Sequence, residues 1–131
     1  MSKQKIILDY VIKSSPKILF DLLSTPSGLA LWFADHVSSS EKGFEKIFSF
    51  FWNGAEETAV LLEQEENVFI QFQMEDAEEG EYLEFRIEKS PITGDTILII
   101  TDFAYEEDIE DQKQLWQAQV KSLISKVGGS N

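Results

Sequence analysis

The hydrophobic period changes once along this chain, and that change limits what the chain can fold into. From Gly43 to Thr101 apolar residues recur at every second position, the spacing of strands with one buried face. Phe44, Phe48, Phe50 and Trp52 share a face, and Asn53-Gly54 marks a hairpin into Thr58–Leu62. A charged turn over 63–67 leads to Val68, Ile70, Phe72 and Met74, and an acidic turn over 75–81 leads to Leu83, Phe85 and Ile87. A last turn, Pro91 to Asp95, feeds Ile97–Phe103. Connections this short give antiparallel pairing without crossover helices. A sheet of this kind leaves one apolar face that another element must cover.

The cover lies at the C-terminal end. Beyond Asp108 the period becomes helical, with Trp116, Val120, Leu123, Ile124 and Val127 in one stripe that Leu115 widens. Asp108 is the expected N-cap, acidic residues follow in the first turn, and Gly128-Gly129 is the expected stop after Lys126. Ahead of the sheet, Ile6–Lys13 alternates as a strand with Ile6, Leu8, Tyr10 and Ile12 on one face. Ser15-Pro16 and Thr25-Pro26 each join a capping side chain to a proline at the first helical position. They predict two short helices, one carrying Ile18, Leu19, Leu22 and Leu23, the other running into Leu29, Leu31, Trp32 and Phe33. The order β-α-α-β(n)-α predicts an α+β fold: a curved antiparallel sheet wrapped around a long C-terminal helix, as a single domain over residues 1–131.

Charge narrows the partners. Twenty-four acidic residues oppose 11 basic ones, for a net charge of −13, and the basic residues are scattered lysines and a lone Arg86. No basic stripe exists to neutralise nucleic-acid phosphates, and anionic membrane surfaces should repel the chain. The acidity either keeps the protein soluble or forms a patch for a basic partner. Cysteine is absent, which removes disulfides, thiolate nucleophiles and cysteine metal sites together. Met1-Ser2-Lys3-Gln4-Lys5 is polar, Asp9 interrupts the apolar run from Ile6, and no stretch has the length of a membrane span. A cytoplasmic protein is expected.

Three stretches carry a family resemblance. They are Thr25-Pro26-Ser27-Gly28-Leu29-Ala30-Leu31-Trp32-Phe33-Ala34-Asp35, then Phe48-Ser49-Phe50-Phe51-Trp52-Asn53-Gly54 with Glu56-Glu57, then Thr101-Asp102-Phe103-Ala104 followed by Leu115-Trp116-Gln117-Ala118-Gln119-Val120. With the element order, they resemble the START-like superfamily (helix-grip, or SRPBCC, fold), most nearly a bacterial START-like family typical of Bacteroidetes. Domains of Hsp90-ATPase-activator homologues are related. The resemblance spans essentially the whole chain and implies a helix-grip fold with a cavity between sheet and helix. It implies no defined reaction.

On that reading Phe48, Phe50, Trp52, Phe72, Trp116 and Val120 are the expected apolar walls of a site for a small hydrophobic ligand, with Trp32 and Phe33 at its mouth. Ordinary core filling is the competing account of the same aromatics, and a corner plug that of Trp32, Phe33 and Asp35. Arg86 could clamp an anion, but alternation puts it with Glu84 and Glu88, where an ion pair is the expected role and Asp102 a candidate partner. His36, the sole histidine, is expected at the surface. A triad would need His36 as its base, and the chain has no nucleophile-elbow glycine pattern. One histidine makes no histidine metal site, and although an all-carboxylate calcium site stays open, no catalytic residue, metal or cofactor is expected and the chain is read as no enzyme. The alternative function is a protein-interaction, co-chaperone-like role through the acidic surface and Ile97-Leu98-Ile99-Ile100. That strand is apolar on both faces and a candidate homodimer surface.

Overall fold

In the computed structural model, which describes residues 3–127, one antiparallel sheet of seven strands carries the molecule. The strands are β1 (Gln4–Ile12), β2 (His36–Lys42), β3 (Glu45–Trp52), β4 (Ala55–Glu65), β5 (Phe69–Met74), β6 (Leu83–Lys89) and β7 (Thr96–Ala104). Their spatial order is β1-β7-β6-β5-β4-β3-β2. Strands β2 to β7 form a meander, and β1 returns to pair with β7 along its whole length. The two edge strands β1 and β2 are therefore neighbours in sequence, and helices α1 (Pro16–Ser24) and α2 (Pro26–Leu29) link them. Helix α3 (Ile109–Lys126) lies against the concave face of the curved sheet. This is the α+β helix-grip arrangement.

The local signals act as their chemistry requires. Asn53 and Gly54 both have positive φ, 51° and 82°, the backbone of a two-residue turn whose twist matches the flanking strands. The Ser15 hydroxyl accepts from the Ile18 N–H at the start of α1. Thr25 serves two helices at once: its hydroxyl donates to the Asp21 carbonyl at the end of α1 (2.8 Å) and accepts from the Gly28 N–H in α2 (2.9 Å). So tight a corner leaves no room beside Gly28. A Cβ there would overlap the Asp21 carbonyl oxygen and stand 2.7 Å from Thr25 Oγ1 and 2.8 Å from the Leu22 Cα. Steric exclusion, not backbone conformation, accounts for the glycine in the Thr-Pro-x-Gly motif.

Several expectations change. Strand β2 has no apolar period, because Val37 is its one buried residue and Ser38-Ser39-Ser40 faces water. Backbone pairing with β3 makes it a strand, and an edge strand needs little else. Phe44 is fully exposed in the turn before β3 and does not share the Phe48 face. Strand β4 runs on to Glu65, so the turn is confined to Glu66-Asn67-Val68, where Asn67 takes φ 65°. Helix α2 is one turn long, and Trp32 and Phe33 lie in the turn after it. Ile18 and Leu31 are half-exposed, while Phe20 takes the buried place expected of Ile18. Asp108 holds the N-cap position of α3 without a side-chain capping bond, since Glu106–Asp108 forms a turn of 3-10 helix. The expected Gly128-Gly129 stop lies outside the described residues.

Gly28→Ala should destabilise the domain by about 1–3 kcal/mol through overpacking at the α1–α2 corner. Urea denaturation measures this, and a variant as stable as the parent would sink the steric account.

Candidate functional site

The concave face of the sheet is aromatic at its centre. Phe48 and Phe50 of β3, Phe72 of β5 and Phe85 of β6 are fully buried there. Phe33, from the turn after α2, drops into the middle of them. Its ring meets Phe50 (5.1 Å) and Trp52 (5.3 Å) edge-on and lies stacked on Trp116 of α3 (5.8 Å, 15° between planes). Such pairs add to the stabilisation that area burial already provides. Each tryptophan also places its indole N–H. Trp32 donates to the Leu22 carbonyl (2.7 Å), Trp52 to the Phe33 carbonyl (2.7 Å) and Trp116 to Asp102 Oδ2 (2.9 Å).

Beside this packed centre, towards the start of α3, sheet and helix separate and leave a cleft of about 440 Å³. Phe33, Trp52, Met74, Leu83 and Leu115 form its apolar walls. Its polar lining is Glu57, Asp102, Gln112 and Gln119. Asp102 stands on the inner face in step with Leu98 and Ile100 of β7. Its carboxylate accepts from Gln112 Nε2 (3.0 Å), Trp116 Nε1 and the Phe103 N–H (2.8 Å). Gln119 donates to the Phe33 carbonyl (3.0 Å), which also takes the Trp52 bond. Glu57 pairs with Phe50 in the β3–β4 register and so faces inward at the cleft mouth. Although Glu57 as a residue is exposed, partial desolvation of its carboxyl, and next the charges of Asp76 and Glu75, push its pKa above the ordinary carboxylate value. Glu75 itself is held below that value by the hydroxyl and amide of Thr58.

The residues expected to line a site divide between two places. Phe33 and Trp52 border the cleft. Phe48, Phe50, Phe72, Trp116 and Val120 form the solid layer beside it, each at 3% exposure or less. Trp32 is buried against Phe85 and borders a separate, more polar hollow on the far side of Phe33, Trp52 and Gln119. The cleft residues that sequence reasoning missed, Glu57, Met74, Leu83, Asp102, Gln112, Leu115 and Gln119, had a signal in part. Alternation through Leu98 and Ile100 places Asp102 on the inner face, and Gln112 and Gln119 sit four before and three after Trp116 on α3.

That placement corrects the expected Arg86–Asp102 pair, because the two side chains stand on opposite faces. Arg86 Nε instead bonds Glu84 Oε2 on its own strand (3.1 Å), and the guanidinium lies 4.6 Å from the Phe69 ring centre. Glu84 is buried there and also accepts from Gln71 (2.7 Å). His36 is exposed near Phe51. Among the described residues no group of three or more His, Cys, Asp or Glu is arranged around a metal position, and no helix is long and apolar enough to cross a membrane.

Asp102→Ala should cost about 1–3 kcal/mol, because it strands the buried indole N–H of Trp116. In a Trp116→Phe background the same substitution should cost clearly less. Strict additivity of the two in urea denaturation would refute this coupling.

The chain matches the family profile described as the START-like superfamily domain over residues 1–129. Among solved structures it is similar to protein BfR322 from Bacteroides fragilis, at 35% identity and TM-score 0.65, covering 96% of this chain and 92% of that one. It is also similar in fold to an Aha1 from Colwellia psychrerythraea, described as a dimer (20% identity, TM-score 0.77, 95% and 96% covered). Protein MLL2253 from Mesorhizobium loti shares the fold as well (14% identity, TM-score 0.77, 98% and 99% covered). No protein of curated function matches the sequence. Sequence profile, strand order and the helix laid along the concave face agree: this chain belongs to the START-like superfamily.

Proposed function

We propose that this domain is a non-enzymatic binding module that holds a small hydrophobic ligand in the cleft between the sheet and α3. The cleft itself carries the reading. Five apolar side chains wall an accessible volume of about 440 Å³ beside a core that is otherwise packed with aromatic rings. START-like folds generally bind hydrophobic ligands. Burial of apolar ligand surface supplies about 25 cal/mol per Å², and the ordering cost of association offsets part of it. The polar groups of the lining, two carboxylates and two amides, are few enough to orient a ligand without making the site hydrophilic. A domain of this charge, with no membrane-spanning helix among its described residues, suits a cytoplasmic carrier or sensor.

Leu115 tests the assignment, because it lines the cleft yet is 53% exposed, so a larger side chain is tolerated by the fold. Leu115→Trp should fill the cleft and weaken calorimetric binding of a neutral probe, naphthylmethanol, by about tenfold or more, with the thermal midpoint little changed. Equal affinity in parent and variant, or a parent that fails to bind the probe, would count decisively against the reading.

A second reading, a protein-interaction role, rests on the outer face of the sheet. Ile7 and Val11 of β1 are 60% and 48% exposed, and Val11 is paired with the half-buried Ile97 of β7. In this reading a second copy of the chain covers that stripe. Sedimentation at rising concentration should then show a parent dimer and an Ile7→Lys monomer. A parent that stays monomeric ends this alternative.

A further inference from the structure

We infer that the ligand of the cleft carries a cationic or hydrogen-bond-donating group, an amine being the simplest, and that carboxylated ligands are rejected. The inference rests on the binding role proposed above and concerns the chemistry the site selects. It follows from which polar atoms remain free. The indole N–H groups of Trp52 and Trp116 are already spent on the Phe33 carbonyl and on Asp102. Gln112 and Gln119 each commit an amide hydrogen to those same acceptors. What the lining still offers is weighted towards acceptors: the amide oxygens and, above all, the Glu57 carboxylate. Glu57 enters none of the side-chain hydrogen bonds or ion pairs found among the described residues, in contrast to its neighbour Glu75, which Thr58 engages.

Among the described residues no Lys, Arg or His lines the cleft. Lys3, at the adjoining smaller hollow, is bound to Glu81 at 3.2 Å, and Arg86 is held by Glu84 on the opposite face of the sheet. An entering carboxylate would lose its hydration beside two like charges with no counter-ion to replace it. An ammonium group would meet Glu57 at the mouth and the aromatic side chains of Trp52 and Phe33 in the same lining, groups that accept a cation. Glu75 and Asp76 add to the negative field around Glu57, whose pKa is raised first by partial desolvation and then by these two charges. A bound cation relieves that like-charge crowding, so ligand charge and site charge are complementary in the sense that sets specificity.

Three probes that share one apolar group test the inference by calorimetry at neutral pH: naphthylmethylamine, naphthylmethanol and naphthoate. The amine should bind tighter than the alcohol and at least about tenfold tighter than the acid. Glu57→Gln, checked for an unchanged thermal midpoint, should remove most of the amine's advantage over the alcohol when both probes are measured on the variant. Naphthoate binding as tightly as the amine overturns the inference, and so does an amine preference that Glu57→Gln leaves intact. If the alcohol binds and the amine gains nothing over it, the charge selectivity is wrong and the hydrophobic cleft stands. If none of the three binds, both the selectivity and the binding role fail.

Discussion

Phe33 is held from two sides, and the rest of the interior is arranged around it. Its ring lies on Trp116, its edge contacts involve Phe50 and Trp52, and its carbonyl oxygen takes hydrogen bonds from Trp52 and Gln119. One residue of an irregular turn thereby ties the α1–α2 corner to strand β3 and to helix α3. Hydrogen bonds of this kind gain strength away from water, and an unmet donor there costs more than a met one contributes. Three tryptophans in one core would be a liability if any indole N–H lacked an acceptor. Each finds one, and among the described residues no buried side-chain polar atom is left without a partner.

The same bonds set where the helix lies and so explain why a cleft exists. Asp102 grips α3 through Gln112 and Trp116, and the Phe33 carbonyl grips it through Gln119. Under the middle of the helix the sheet presents phenylalanines, which fill the gap. Towards the start of the helix the inner-face positions become Glu57, Met74, Leu83 and Asp102, and the helix replies with Gln112 and Leu115. None of these is aromatic, and two are carboxylates, which favour hydration over a closed apolar contact. Sheet and helix cannot close there, so the volume stays open.

Charge is handled differently on the two faces. On the outer face the buried carboxylate of Glu84 is satisfied by Arg86 and Gln71, and Arg86 also covers Phe69, so that network is complete in itself. Among the described residues the inner-face carboxylates have no cation: Asp102 is met by neutral donors, and Glu57 stands exposed at the cleft mouth without a side-chain partner. The apolar strand β7 also becomes intelligible. It is an interior strand between β1 and β6, and the neighbouring side chains half-cover its outward Ile97 and Ile99.

By itself the sequence determined the order of elements, the helix starts at Ser15 and Thr25, the Asn53-Gly54 turn, the inward faces of most strands and the family. Those features are local or periodic, and a period states which face a residue occupies. It does not state how far along the sheet the residue falls relative to a helix distant in the sequence. Only the tertiary structure decided that Phe48, Phe50 and Phe72 are solid core while Phe33 and Trp52 border open volume. The same holds for β2, an edge strand made by backbone pairing alone, and for Asp102, whose partners come from α3 and not from Arg86. Where the cleft opens depends on the side-chain sizes that meet across the sheet–helix interface, and that meeting is made by long-range packing that no local pattern encodes.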